Sequence, residues 1–265
     1  MFNRLSSLEL VLILSAVIFG ATCLGLFLGR YVRHRAEHLR EPLGVLQSAL
    51  LGLVGLVLAF GLALAVGRYE SRREAVVDDA NDIGTTYLRA QTLQEPIRTR
   101  SLGLLVRYTD TSIRLSQSVP MSDKARQTIA DGQKLQRQLW GLAGQALAEA
   151  PIASAPRLYV ETLNTMIDQQ TVRVAALNNR VPGPVLDVEV IFAAAALGLL
   201  AFYLAILGRG MLPVLLAAGL VCLLLLVTFD LDRPTRGLIR IPATPLTSLR
   251  ASMELPPAAA PPSKP

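Results

Sequence analysis

Four stretches of this sequence contain no Asp, Glu, Lys or Arg; they cover residues 10–29, 42–67, 190–208 and 210–229. A helix needs about 20 apolar residues to cross the hydrocarbon core of a bilayer, and within lipid its backbone groups must bond to one another. The sequence therefore predicts an all-α integral membrane protein with four transmembrane helices. The first two are expected at about 9–29 and 43–67, and the last two within 186–229. The alternative, that some are buried soluble helices, applies mainly to the last two.

The first apolar stretch also resembles a signal peptide, but it is longer than the core of about 7–15 residues that such peptides carry. We therefore expect a retained span. Both cysteines, Cys23 and Cys222, lie inside predicted spans, which argues against a disulfide or a metal pair. His34 and His38 have a spacing that can bind metal on a helix, but no third ligand stands nearby. We predict no metal site and no cofactor.

A long polar segment, residues 68–185, separates the second and third spans. Apolar residues recur along it at helical spacing, as at Val76, Ala80 and Ile83. Prolines interrupt the pattern near residues 96, 120, 151–156 and 182–184. This predicts a soluble bundle of about four helices. After a post-span segment at 230–240, residues 241–265 contain seven prolines, and we expect this tail to be disordered.

Four spans place both termini and the long polar segment on one side of the membrane. The short basic loop at residues 30–41 and Arg209 lie on the other side. Arginines flank the spans on both sides, so the positive-inside rule gives only a weak preference. That preference is for cytoplasmic termini and a cytoplasmic polar segment.

The second span has no helix-breaking residue after Gly67, so the helix is predicted to continue to about Tyr87. It carries two kinds of stripe. Small residues recur every four positions, which allows close helix approach in lipid; they are Gly44, Ser48, Gly52, Gly55, Ala59, Ala63 and Gly67. On another face lie Leu53, Leu56, Phe60 and Leu64. Around a symmetry axis these four would form an apolar constriction that gates by dewetting; by spacing alone, packing or lipid-facing leucines are the more common explanation.

Acidic residues follow directly on the same helix. Glu70, Glu74, Asp78 and Asp82 recur every four positions, with Asp79 beside them. Like charges at this spacing destabilise a helix slightly, and nearby arginines can compensate for them. The row is either a solvated face or an acidic vestibule that attracts cations or binds a divalent ion.

Two longer motifs carry a family resemblance. The run GRYESRREAVVDDANDIGTTYLRAQTLQEP, which includes Arg68 and Tyr69, and the run FDLDRPTRGLIRIPATPL resemble the bestrophin-like family of bacterial membrane proteins. The second run contains the remaining motif residues, Asp230, Asp232, Arg233 and Pro234. The resemblance implies a pentameric ion channel in a bacterial inner membrane, with cytoplasmic termini. Its second span would line the pore and carry an apolar neck. Asp230 and Asp232 alone do not match the acidic calcium cluster of animal bestrophins.

These observations favour an oligomeric ion channel that passes small ions passively through a pore lined by the second span. The alternative is a membrane-anchored scaffold or sensor whose segment 68–185 binds a partner or ligand. No nucleotide-binding loop or catalytic motif is present, so we do not expect an enzyme. The expected partners are the lipid bilayer, further copies of the chain and small ions. Nucleic acid is excluded because the basic residues flank the spans and form no single basic face.

Overall fold

The computed structural model describes residues 6–33, 40–208, 211–235 and 237–259. These residues form helices joined by short connections, and no strand occurs among them, so the predicted all-α class is confirmed. The helices are α1 Ser7–Val32, α2 Arg40–Ala90, α3 Ile97–Ser116, α4 Asp123–Glu149, α5 Ser154–Asn178, α6 Gly183–Ile206, α7 Leu212–Leu231 and α8 Thr244–Ser252. His34, His38 and Arg209 lie outside the described residues.

The chain divides into two compact units. The first, the membrane unit, comprises Met1–Tyr69 and Arg180–Ile239; the second, the bundle unit, comprises Glu70–Asn179 and Arg240–Pro265. Among the described residues, four helical segments are long and apolar enough to cross a membrane, namely Leu8–Val32, Glu41–Ala90, Ser154–Ile206 and Leu212–Leu231. In the third, the uncharged stretch belongs to α6.

In the membrane unit α1 packs along α6 through glycines. A Cβ atom at Gly25 would collide with the carbonyl oxygen of Gly198, and one at Gly29 with that of Phe202. Glycines four residues apart let two helix backbones approach closely, which is the main way helices associate where lipid removes the hydrophobic driving force. This α1–α6 pair therefore depends on residues too small to be replaced without separating the helices.

The second helix is continuous from Arg40 to Ala90, as the absence of a breaker after Gly67 predicted. Its 51 residues correspond to a length of about 75 Å at 1.5 Å per residue. The boundary between the two units falls inside this helix, between Tyr69 and Glu70. One helix thus contributes to both units without a turn.

In the bundle unit the remainder of α2 is joined by α3, α4, α5 and α8. The helices end close to the prolines that predicted their ends. The side chain of Ser122 caps α4 by accepting a hydrogen bond from the Ala125 amide at 3.1 Å. The core is made of fully buried apolar and aromatic side chains, among them Leu105, Tyr108, Leu139, Leu163 and Met166.

The prediction of a disordered tail from residue 241 is wrong for α8. Leu246 and Met253 are buried in the bundle core, and Leu249 packs against it. These three residues form an apolar stripe at helical spacing. The prediction of disorder rested on the high proline content of the segment and did not consider this stripe. Pro245 lies in the first turn of α8, where its missing amide hydrogen breaks no helical hydrogen bond.

Candidate functional site

The membrane part of α2 has a packed face and an open face. Val54, Leu58 and Ala65 are buried in the core of the membrane unit. The four residues of the predicted apolar row remain between 45% and 62% exposed, and they are Leu53, Leu56, Phe60 and Leu64. Because the row is not used to pack the chain itself, it is available to lipid, to another copy or to a central axis. We call these four residues the apolar row.

The small residues of α2 are also mostly unused within the chain. A Cβ atom at Gly52, Gly55 or Gly67 would meet nothing within 4 Å, and Ala59 and Ala63 are exposed. Only at the start of the stripe is there close packing, where a Cβ at Gly44 would meet the hydroxyl of Tyr203. A helix carries glycine at a cost of up to about 1 kcal/mol relative to alanine, and packing inside this chain does not explain the stripe beyond Gly44.

A buried carboxylate that the sequence analysis missed lies against the same helix. Glu189 of α6 is 1% exposed, and neither of its carboxylate oxygens has a hydrogen-bond partner among the described residues. Its Oε1 atom occupies the space that a Cβ at Gly61 would fill. The signal in the sequence was the position of Glu189, immediately before the uncharged stretch 190–208. The predicted transmembrane region 186–229 includes Glu189, but the prediction rested on the uncharged stretch 190–208 and assigned this carboxylate no role; α6 begins at Gly183.

The acidic row lies on an accessible part of α2 in the bundle unit. Glu74 and Asp78 are exposed, and Glu70 and Asp82 are half-buried. Glu70 forms a surface ion pair with Arg73 at 3.4 Å, an i, i+3 contact. Asp79 departs from this pattern. It is completely buried and forms an ion pair with Arg173 of α5, so it does not belong to the accessible row.

The Asp79–Arg173 pair is part of a buried polar network. The Arg173 Nη2 atom also donates to the backbone oxygen of Ser112 at 2.9 Å and to the Ser116 hydroxyl at 2.6 Å, so it ties α5 to α3 as well as to α2. Nearby, the Tyr108 hydroxyl accepts a hydrogen bond from Gln136 Nε2 at 3.1 Å. Burial raises the pKa of that hydroxyl, so Tyr108 stays neutral. This network is a structural connection between helices.

The motif residues after the last span bind main-chain groups. The Asp230 carboxylate accepts from the amides of Leu238 and Ile239, at 2.9 and 2.8 Å. Asp232 accepts from the Val181 amide at 2.9 Å and so connects the end of α7 to the segment before α6. No group of three potential metal ligands occurs in the described parts of the chain.

The other motif residues also lie in the membrane unit. Arg233 and Pro234 are buried, whereas Arg68 and Tyr69 are half-buried. Tyr69 packs against the core of the membrane unit. Their positions favour a structural role.

A cleft lies between α3 and α4 on the described surface of the bundle unit. It has a volume of about 600 Å³ and contains the exposed side chains of Arg100, Arg107 and Arg137. No acidic residue lines it, and none of these three arginines forms an ion pair with a described residue. Gly103 and Gly141 also line it, and a Cβ at either would meet nothing within 4 Å. The sequence analysis identified no site here, although Arg100 and Arg107 are one heptad apart.

Comparison with known proteins gives a consistent result. The family model described as the Bestrophin-like domain matches residues 14–246. Crystal structures of two variants of a bacterial bestrophin homologue from Klebsiella pneumoniae have TM-scores of 0.64 and 0.63 at 13% and 17% identity. Each match covers 89% of this chain, and 97% and 94% of the other. A crystal structure described as a membrane protein has a TM-score of 0.64 at 16% identity, covering 89% of this chain and 97% of that one. No curated protein matches the sequence.

Proposed function

This chain belongs to the bestrophin-like family, and we propose on that basis that it forms an oligomeric channel passing small ions through a pore lined by α2. The observation that carries the proposal is the open face of α2, where the apolar row remains exposed while the opposite face packs into the membrane unit. An apolar constriction of this kind blocks ions when it is dry and conducts when it is wetted. By family resemblance the assembly is a pentamer.

The angular order of the α2 stripes supports this arrangement. At 3.6 residues per turn, the small residues from Gly52 to Gly67 are centred about 90° from the apolar row, and the packed residues from Val54 to Ala65 about 125° away on the other side. One face is then free for an axis, a second for the close approach of a neighbouring copy, and a third for the chain's own core. A ring of identical helices requires these three roles.

The acidic row is proposed as a vestibule that attracts cations. Glu74, Asp78 and Asp82 each follow a member of the apolar row by 18 residues, which is five helical turns. In an uninterrupted helix such residues project to the same side. A ring of carboxylates would raise the local concentration of cations at low and moderate ionic strength. We further propose that the bundle unit and both termini are cytoplasmic and that the membrane is the bacterial inner membrane.

Reconstitution into liposomes tests the proposal directly, with potassium and chloride flux measured separately. We expect flux above that of protein-free liposomes, with potassium favoured, and a reduced preference for potassium in Asp78→Asn. Leu56→Ser should raise flux several-fold, because a hydroxyl helps to wet the constriction. Leu220→Ser is the matched control, since Leu220 is also an exposed leucine, on α7. Silent liposomes containing intact oligomers, or equal effects of the two substitutions, would contradict the pore assignment.

A second candidate function is a membrane-anchored scaffold or sensor, and the arginine cleft is the observation that favours it. Unpaired arginines bind phosphate and carboxylate groups well. Calorimetric titration of the full-length protein with pyrophosphate tests this function. Loss of binding in Arg107→Gln, but not in the exposed control Arg126→Gln, together with silent liposomes would favour it over the channel. Absence of pyrophosphate binding by the unmodified protein would count against it.

A further inference from the structure

The membrane unit contains one carboxylate that its described structure does not compensate. Glu189 is buried within α6, and no described residue donates a hydrogen bond to it or forms an ion pair with it. An ionised carboxylate without a partner in an apolar environment is strongly unfavourable, and such a group normally takes up a proton. Ionisable residues inside membrane segments usually mark a functional site.

No charged group on the surrounding helices takes the place of a partner. Gly61 of α2 lies directly against the carboxylate, and Ala65 of α2 and Val190 of α6 are buried in the membrane core. Besides Glu189, the ionisable residues that flank or interrupt the uncharged stretches of α1, α2, α6 and α7 are Glu9, Cys23, Arg30, Glu41, Arg68, Asp187, Tyr203, Cys222 and Asp230. None of them contacts the Glu189 carboxylate through a hydrogen bond or ion pair in the described structure.

The position of the carboxylate connects it to the proposed pore. Its Oε1 atom fills the space beside Gly61, and only glycine leaves that space open. Gly61 follows Phe60 directly and precedes Leu64 by about one turn. The carboxylate therefore contacts the same segment of α2 that carries the apolar row. A change in the charge of Glu189 therefore acts on that segment.

We propose that Glu189 is a proton-binding site, and that release of its proton loosens the packing of α6 against α2 at Gly61. In the packed state the side chain is a neutral carboxylic acid. On deprotonation the proton passes to water, the remaining carboxylate needs hydration, and the α2 segment around Phe60 becomes free to move. A metal ion suits the site less well, because calcium requires 6–8 oxygen ligands and no cluster of ligands is present among the described residues. The regulatory half of this proposal rests on the proposed channel function, whereas the proton site does not.

Infrared spectroscopy of the full-length protein in detergent tests the proton site without reference to transport. We expect the carbonyl band of a protonated carboxylic acid at neutral pH, and its loss in Glu189→Gln. Glu161→Gln is the control, because Glu161 is an exposed residue of α5. A spectrum that is unchanged at neutral pH by Glu189→Gln would overturn the site. Gln is nearly isosteric with the neutral acid, so this variant should fold.

Liposome flux measured across a range of pH tests the regulatory half. We expect flux of the unmodified protein to rise several-fold as pH increases, and flux of Glu189→Gln to remain low at every pH. Gly61→Ala should displace the carboxylate and raise flux at low pH. A protein that conducts with the same pH dependence after Glu189→Gln would overturn the regulatory role. Silence at every pH with the infrared band intact would refute the channel and leave the proton site standing.

Discussion

The two units of this protein bury a carboxylate in opposite ways. In the bundle unit Asp79 is fully buried, and Arg173 neutralises it while also binding Ser112 and Ser116. In the membrane unit Glu189 is equally buried but has no hydrogen-bond partner among the described residues. Asp79 lies on α2 itself, and Glu189 lies on α6 against α2 at Gly61.

Their environments suit the two carboxylates to different roles. An ion pair with additional hydrogen bonds fixes one arrangement of three helices and resists change, because removal of either partner leaves an uncompensated charge. A carboxylate without a partner is stable only while it is neutral, so its environment responds to protonation. The buried charge of the bundle unit is therefore structural, and that of the membrane unit is suited to a switch.

The largest expected effect comes from breaking the paired carboxylate. Arg173→Met leaves Asp79 buried without its counter-charge and should destabilise the protein by about 3–5 kcal/mol. Chemical denaturation in detergent, followed by the fluorescence of the single tryptophan, Trp140 of α4, measures this change. Arg126→Met is the matched control, because Arg126 pairs with Asp123 on the surface of α4 and little stability should be lost.

A double substitution separates the loss of the counter-charge from the loss of packing at the Asp79–Arg173 pair. Asp79→Leu combined with Arg173→Met removes both charges, and it should be far less destabilising than Arg173→Met alone. If the two variants lose equal stability, the arginine acts through packing alone, and the contrast with Glu189 disappears.

The paired carboxylate also shows where sequence reasoning reached its limit. Asp78 and Asp79 are adjacent, and helical spacing alone does not tell which of them is buried. The answer depends on Arg173, 94 positions further along the chain. By contrast, the continuation of α2 past Gly67 could be predicted, because it depends only on local features: no proline, no glycine cluster and a helical pattern of apolar residues.

Two other differences have a similar origin. The composition of the tail predicts disorder, but Leu246 and Leu249 of α8 and Met253 at its C-terminal end decide the structure through contacts with the distant bundle core. Glu189 was missed because the prediction considered only the uncharged stretch 190–208, which begins one residue after it. A buried carboxylate at the edge of such a window needs the neighbouring helix, here Gly61, to be recognised.

A smaller loss of stability is expected from a change at Gly61, the residue that lies against the Glu189 carboxylate. Gly61→Ala introduces a methyl group where the Glu189 carboxylate lies, and it should destabilise the protein by about 1–3 kcal/mol through overpacking. Adding Glu189→Ala should recover most of this loss, as both groups compete for the same space. Gly55→Ala is the control, since a Cβ there meets nothing within 4 Å and alanine favours the helix.

The smallest expected loss of stability is that of Glu189→Gln, and the same chemical change at Asp79 provides the comparison. Replacing a carboxyl group by an amide removes its charge with little change in size. Asp79→Asn removes one member of an ion pair and should cost about 3 kcal/mol or more. Glu189→Gln replaces a neutral acid by a neutral amide and should cost about 1 kcal/mol or less. Denaturation of both variants at neutral pH measures the contrast; equal losses would show that Glu189 is ionised and paired, and the distinction between the two units would fail.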